Sequence, residues 1–507
     1  MTVSGLGRSR RLLKGWSANL LQMLLGITQQ IALIPVFLHF WTSDVLAAWL
    51  TIYAAGNLIL VADCGLHVRA INKFLSLRSS ADCEGRTAHF YAALLRIYLG
   101  LAAVLAVLLM AAMWLFAPSA SLGFAAVSQF DLAFATMTLG MLLTIPSNLA
   151  TALYRARGHY GRAVHLQSWG MLAAQLAQLA AILVTGNLLV VTLTYVTTLI
   201  LSSIYILAVD TPRLFPELAN TRVTPSWRWI VGQFRMALPF ALSGATELAL
   251  TNAPVLLVSA FVSDRIAVAQ WALTRVVAGL LRTLCTQVTL PLAAELGHDH
   301  AMGLKDQLQN LYARGSALVT LLASVVVSGL LAFWPDFFAI WTHGSIPYNA
   351  SLTVTLLVGM VIAAPSILAL SYANYSDRGA LLASTKAVQL VVFLVLSFLL
   401  IPLLGPIGAA LAIVSSDMVA QFGMLTVSIM RQTLKQPLRH VALLIAIIAV
   451  VTPAGWLLGT SLSRSVPGTG LVHLVIECTL WLLVVALAAA PVWTAEIRNR
   501  LTAIIPR

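Results

Sequence analysis

Charge is scarce in this sequence. Asp, Glu, Lys and Arg make up 9% of its 507 residues, against roughly a quarter in a soluble domain. A water-exposed globular surface cannot be built from so little. Acids are scarcer than bases, 17 against 30, for a formal net charge of +13. That excess forms no basic run with interleaved aromatics, so no nucleic-acid surface is indicated. Its use is in topology and in attraction to anionic membrane lipids. Cysteine is nearly absent: Cys64, Cys83, Cys285 and Cys478 are the four, with no C-x-x-C pair. Neither a disulfide framework nor a metal centre is supported. His298-Asp299-His300 has no third ligand type nearby and reads as an exposed polar loop. The chain has no Walker loop, nucleophile elbow, zinc signature or pair of carboxylates on one helical face. No catalytic residue, metal or cofactor is assigned, and no enzyme class is indicated.

What the chain has instead is apolar length. Hydrophobic residues make up 60% of it. They gather in fourteen stretches, near 16–40, 44–66, 90–116, 130–154, 163–184, 187–208, 236–262, 266–291, 315–341, 352–374, 382–401, 406–430, 440–461 and 470–495. Each reaches the roughly 20 residues that a helix needs to cross ~30 Å of hydrocarbon. The first is too long for a secretory signal and lacks its small-residue cleavage site, so it reads as an uncleaved first helix. The linkers orient the chain. The N-tail, every second linker and the C-tail hold 25 of the 30 Lys and Arg when Lys386, just inside the edge of its stretch, is counted with the linker before it; the alternate linkers hold Arg265 and Arg464, and Arg96, Arg275 and Arg282 lie inside spans. The positive-inside rule then predicts an all-α polytopic membrane protein of 14 transmembrane helices, N-in and C-in.

The spans fall into two sets of six plus two. A charged, proline-containing linker from Asp210 to Arg235 separates the sixth from the seventh. The expected division is an N-lobe at 1–215, a C-lobe at 216–435, and two further helices with a short tail at 436–507. A repeat supports it. Pro35-Val36-Phe37-Leu38 returns as Pro254-Val255-Leu256-Leu257, and Pro146-Ser147-Asn148-Leu149-Ala150 returns as Pro365-Ser366-Ile367-Leu368-Ala369, both at an offset of 219. Six spans per lobe give the lobes one orientation, the parallel-repeat arrangement that places cargo between them near mid-membrane. Prolines within spans are candidate bending points.

Several short motifs have a family look. Gly15-Trp16-Ser17-Ala18-Asn19 opens the first span, Ala62-Asp63-Cys64-Gly65-Leu66 ends the second, and Asn72-Lys73 follows. Tyr154-Arg155-Ala156-Arg157-Gly158 lies beyond the Pro-Ser region of span four, Ala272-Leu273-Thr274-Arg275 in span eight, and Gly405-Pro406-Ile407-Gly408-Ala409-Ala410 before span twelve. Over residues 1–430 the chain resembles the polysaccharide-transport (O-antigen and capsule flippase) family of the multidrug/oligosaccharidyl-lipid/polysaccharide exporter superfamily. The resemblance implies a bacterial inner-membrane flippase that moves an undecaprenyl-diphosphate-linked oligosaccharide repeat unit for surface polysaccharide biosynthesis, by alternating access of two lobes. It also implies a polysaccharide polymerase and assembly proteins as candidate partners. The related lipid II flippases carry cavity arginines in spans one and two. Here those spans have none, and the nearest bases are Arg69 and Lys73.

An intramembrane charge costs at least ~2.5–3.5 kcal/mol at a helix centre, so each marks a candidate site. Arg275 and Arg282 are seven residues apart on one helical face, and guanidiniums bind phosphate oxygens bidentately. They are candidate diphosphate ligands, or else partners that tie Glu247 to the neighbouring span. Glu247 and Asp417 are candidate ion or proton relays. Asp63 and Arg96 are expected to form a structural ion pair, and Glu477 to be interfacial. Tyr53, Asn57 and Asn252 are candidate glycan contacts, with Asn19, Gln22, Gln29, Gln30, Asn148 and Thr251 behind them; each is equally ordinary interhelical glue. The main alternative is a cation-coupled multidrug exporter of the same superfamily, which often has an acid in its first span; residues 16–40 have none. A membrane polysaccharide polymerase or ligase usually has a large outer loop with Arg and His, and the outer linkers here are short. A non-transporting structural subunit has no use for intramembrane arginines.

Overall fold

The computed structural model describes residues 25–26, 33–79, 85–157, 159–218, 221, 223–376, 378–465, 468 and 470–489. Their regular elements are all helices, and eleven are long and apolar enough to cross a membrane. The physical reason is backbone satisfaction, since in lipid a helix closes its own N–H and C=O groups without water. Large apolar side chains stand on the outer faces, among them Trp114, Val184 and Leu403. A water-soluble protein rarely exposes so much contiguous apolar surface, and lipid covers it without cost.

The main helices, in chain order, are α1 (Leu33–Phe40), α2 (Ser43–Leu58, continued by a 3-10 turn over Ile59–Asp63), α3 (Leu66–Ser79) and α4 (Arg86–Leu115). Next come α5 (Phe130–Thr144), α6 (Ser147–Ala156), α7 (Tyr160–Thr185), α8 (Leu188–Ile204) and α9 (Trp227–Phe261). After them run α10 (Arg265–Ala301), α11 (Lys305–Trp341), α12 (Ala350–Tyr375), α13 (Gly379–Leu404) and α14 (Pro406–Ser416), which continues as a π-helical stretch over Asp417–Thr426. The last are α15 (Val427–Thr433), α16 (Pro437–Ser465) and α17 (Leu471–Ala489). The ends follow local chemistry. Asn187 and Asn349 accept backbone N–H groups of α8 and α12 at 2.8 Å and 3.0 Å, the usual use of a short polar side chain at an N-cap. Gly186 closes α7 and Gly405 closes α13 at φ 60° and 59°, a conformation that L residues with a Cβ resist.

Three of the fourteen expected spans lie outside the eleven. Only residues 25–26 and 33–40 of the first are described, so Asn19, Gln22, Gln29 and Gln30 fall outside the described residues. The eighth is the 37-residue α10, which carries Arg275 and Arg282. The fourteenth is the 19-residue α17. His298-Asp299-His300 is not a loop, because α10 runs to Ala301; the His300 ring bonds the Tyr372 hydroxyl at 3.1 Å. The repeated prolines also behave differently from each other. Pro146 separates α5 from α6, whereas Pro365 and Pro254 sit inside unbroken helices.

Packing divides the chain into two compact units. The first comprises 1–273 and 379–416. In it α9 lies along α2 and α3 on one side and α13 on another, and α8 packs on α5 and α7. The second comprises 274–378 and 417–507. There α11 is the hub, contacting α12, α16 and α17. A Cβ at Gly455 or Gly459 of α16 would collide with Ser328 or Ala332 of α11, so small residues let these backbones approach closely. Trp481 of α17 covers Gly329 and donates its indole N–H to the Gly455 carbonyl at 3.2 Å. Glu477 is buried, with His473 at 3.1 Å one turn away.

Candidate functional site

In the first unit the informative helix is α9. Gly244, Glu247 and Thr251 share one face at helical spacing, and a Cβ at Gly244 would meet open space. Thr251 is exposed and the Glu247 side chain is 40% exposed, so this face is accessible. Behind it stands Lys386 of α13, whose side chain is 2% exposed and whose ammonium pairs with the Glu247 carboxylate. The Lys386 ammonium also donates to Gln389 Oε1 at 3.1 Å. The Thr246 hydroxyl donates to the Lys386 carbonyl at 3.2 Å, which fixes α9 against α13 at this level. The cation on Glu247 in this unit is thus one that linker counting assigned to the cytoplasmic side. Because α13 begins at Gly379, Lys386 lies two turns, ~10 Å, inside the helix. Its signal in the sequence was a Lys–Gln pair at i, i+3 inside an apolar run.

Asn252 is buried and donates to the Leu248 carbonyl at 3.1 Å, so it serves its own helix while its neighbour Thr251 faces outward. Asn57 likewise donates to the Tyr53 carbonyl at 3.0 Å. The Tyr53 ring belongs to an aromatic cluster, 6.1 Å from both Trp49 and Tyr195, which continues through Trp41 and Phe37. Of the three expected glycan contacts, Tyr53 and Asn57 are half-buried and Asn252 faces the packed side.

The Asp63-Cys64-Gly65-Leu66 motif is a designed break. Cys64 and Gly65 adopt φ 50° and 72°, which ends the 3-10 turn after α2 and re-aims the chain into α3. A Cβ on Gly65 would lie 2.4 Å from the Ala241 nitrogen and 2.7 Å from the Ala237 oxygen of α9. Glycine is therefore required twice, by conformation and by backbone contact. Asp63 accepts the His67 N–H at 3.1 Å, capping α3, and the Tyr98 hydroxyl at 2.7 Å. The expected Asp63–Arg96 ion pair is corrected here: Tyr98 takes that place and Arg96 is exposed. Two residues apart on α4, these side chains point roughly 200° apart, so only one can face Asp63. The His67 ring bonds the Asn148 carbonyl at 2.9 Å. Burial first, and then the Arg155 guanidinium, hold its pKa below the usual imidazole value.

In the second unit Arg275 and Arg282 lie half-buried on α10 with exposed Gly279 between them. At 275, 279, 282 and 286 these residues and Thr286 form one stripe. A Cβ at Gly279 would again meet open space. Two guanidiniums flanking an uncovered backbone are suited to an elongated polyanion, because each can take phosphate oxygens through a planar fork. Asp417, the other candidate relay, is buried at the start of the π-helical stretch, where Gln421 donates to it at 2.9 Å.

Arg265 was one of two exceptions to the linker charge pattern, and its contacts are structural. Its guanidinium donates to the Leu122 carbonyl at 2.7 Å and the Ser259 carbonyl at 2.9 Å, and it lies 4.9 Å from the Phe124 ring centroid. It clamps the 117–129 segment onto the α9–α10 corner. Asp131 stiffens that segment by accepting the Ser119 N–H at 2.6 Å and its hydroxyl at 2.7 Å.

No family model and no curated relative matches the chain. Solved structures do. The lipid II flippase MurJ in an inward closed conformation aligns with a TM-score of 0.72 over 95% of this chain and 99% of that one, at 11% identity. A multidrug resistance MATE family transporter of the MOP superfamily, inward-facing, gives 0.64 over 83% of this chain and 95% of that one, at 16% identity. MATE in complex with MaD5 gives 0.54 over 83% and 94%, at 18% identity. At such identities the likeness establishes the fold. This is a multi-pass helical membrane protein with the architecture shared by that flippase and those multidrug transporters.

Proposed function

We propose that this chain is a fourteen-helix flippase of the bacterial inner membrane, with both ends cytoplasmic, that carries an undecaprenyl-diphosphate-linked oligosaccharide repeat unit between leaflets. The observation that carries the reading is the Arg275–Gly279–Arg282 stripe, with two cations beside an uncovered backbone within an apolar helix. A small organic cation has no use for two arginines, whereas a diphosphate has. The fold likeness to a lipid II flippase supports a lipid-linked cargo. Alternating access between the two six-helix lobes moves the headgroup, while the prenyl tail stays in lipid. The stripe holds the diphosphate; in the first unit, Tyr53, Asn57 and Thr251 are neutral groups of the kind that sugars use.

The test is transport in sealed vesicles holding the purified protein, with a glycosylated undecaprenyl diphosphate loaded in one leaflet and its arrival in the other read by enzymatic accessibility. Protein-dependent transfer that collapses in Arg275→Ala supports both the function and the site. Transfer that survives the substitution keeps the function and removes the site. No transfer, together with H⁺- or Na⁺-driven efflux of organic cations, assigns the chain to the multidrug-exporter reading instead.

A further inference from the structure

The Glu247–Lys386 pair is one-sided. Its acid is 40% exposed on the open face of α9, and its base, 2% exposed, stands behind in α13. A buried ion pair is a poor source of stability, because desolvation of both charges offsets their attraction and apolar residues of similar volume do as well. In lipid a lysine is costlier still. A merely structural link between α9 and α13 is already supplied by the Thr246 hydroxyl and by packing of Leu250 and Ala253 with Leu390, Phe393 and Leu394. The pair therefore calls for another reason to exist.

We propose that Lys386 is an additional anion-binding cation for the cargo's diphosphate, held in check by Glu247, and that proton uptake by Glu247 accompanies anion capture by Lys386. This rests on the reading of the cargo as a diphosphate lipid. The step balances simply. One proton adds to a carboxylate oxygen of Glu247, which becomes neutral; no covalent bond in Lys386 changes. The ammonium loses its counter-charge in a low-dielectric surrounding and takes the next anion that reaches the Gly244–Thr251 face. Its flexible four-carbon stem allows the ammonium to follow that anion. When the anion leaves, the proton leaves and the Glu247–Lys386 pair re-forms. Gln389 holds the ammonium in both states. Because the linkage is reciprocal, anion binding must promote proton uptake by the same factor that a proton promotes anion binding.

Among the charged groups on α2, α3, α13 and α14, which pack against α9, Lys386 is the one that pairs with Glu247. On α2 these are Asp44 at the far end and Asp63, which is taken by Tyr98 and His67. On α3, Arg69 meets Met236, eleven residues before Glu247 on α9, and Lys73 lies one turn beyond Arg69. Along α13 Lys386 is the sole charged residue, and α14 has none. Tyr53 of α2 is the nearest phenol in that helix to its centre, and its ring is engaged with Trp49 and Tyr195.

The experiment measures binding of undecaprenyl diphosphate, with undecaprenyl monophosphate as comparison, to the full-length chain in detergent from pH 5.5 to 8.5. For wild type the diphosphate affinity should fall as pH rises, by up to about tenfold per pH unit for one linked proton. Glu247→Gln should bind tightly across the range, and its residual pH profile reports the titration of the lipid itself. Lys386→Gln should bind weakly with only that residual profile, and Lys386→Arg should keep the wild-type dependence. A wild-type profile that persists in Glu247→Gln or in Lys386→Gln overturns the proposal. So does a wild-type affinity that is flat with pH. Should Lys386→Gln fail to fold, Glu247→Gln and Lys386→Arg still decide. If wild type binds neither lipid at any pH, the diphosphate reading of the cargo falls, and this inference falls with it.

Discussion

Two charged faces, one on α9 and one on α10, meet the cost of ionisation in a membrane differently. On α9 the accessible group is an acid whose counter-charge is buried behind it on α13. On α10 two bases share one stripe with open space at Gly279 between them. The first arrangement stores its cation inside the protein; the second aligns two half-buried cations along one helical face. Low-dielectric burial tolerates a charge only when something of opposite sign, or water, replaces its hydration. On the proposed reading, the stripe of like charge receives the ligand and the one-sided pair exchanges charge.

The strongest way to break this contrast is to remove the stripe. Arg275→Ala should slow flipping by about 10- to 100-fold, the worth of a charge-assisted hydrogen bond or two, and Arg275→Ala with Arg282→Ala should bring vesicle transfer to the background rate. Equal loss in a Gln421→Ala variant would deny the stripe any special role.

The pair should respond asymmetrically in stability. Glu247→Ala strands a buried ammonium and should cost about 2–3 kcal/mol, discounted from the fully buried case because the acid is partly solvated. Lys386→Met leaves a half-exposed carboxylate and should cost about 1 kcal/mol. Thermal unfolding of the purified protein checks the order; equal losses would mean that the exposure difference has no energetic consequence.

Gly65→Ala forces a side chain into the α9 backbone from a left-handed conformation, and a loss of about 1–3 kcal/mol is expected in the same assay. Arg265→Ala removes two hydrogen bonds to carbonyls and should cost about 1–2 kcal/mol. Hydrogen exchange should then quicken in 118–131 and leave the α9–α13 contact unchanged. The smallest effect concerns His67. Its lowered pKa means that the folded protein favours the neutral ring. The stability this gives is present above the unfolded imidazole value, about 6.5, and is lost as pH falls toward the folded value. His67→Asn should flatten that part of a melting-temperature profile between pH 7 and 5.5.

Much of the architecture was readable along the chain. Apolar stretches of sufficient length became helices, because lipid leaves the backbone no other partner. Gly186 and Gly405 fell where turns were needed, and Asp63-Cys64-Gly65-Leu66 proved to be a break with a reason for each residue. Sequence distance hid the rest. Linker counting placed Lys386 among cytoplasmic charges, since a lysine two turns inside an apolar run looks the same as one at its edge. Asp63 was matched with Arg96 on charge and on position near the same ends of adjacent spans, and the rotation of α4 gave it Tyr98 instead.

Composition and periodicity were enough to specify a polytopic helical bundle and the shared face of Arg275 and Arg282 on α10, because hydropathy and same-face spacing act within one helix. The partner of each intramembrane charge was set by packing. Glu247 and Lys386 are 139 residues apart, and their meeting depends on the depth, rotation and neighbours of α9 and α13, quantities that no single helix encodes.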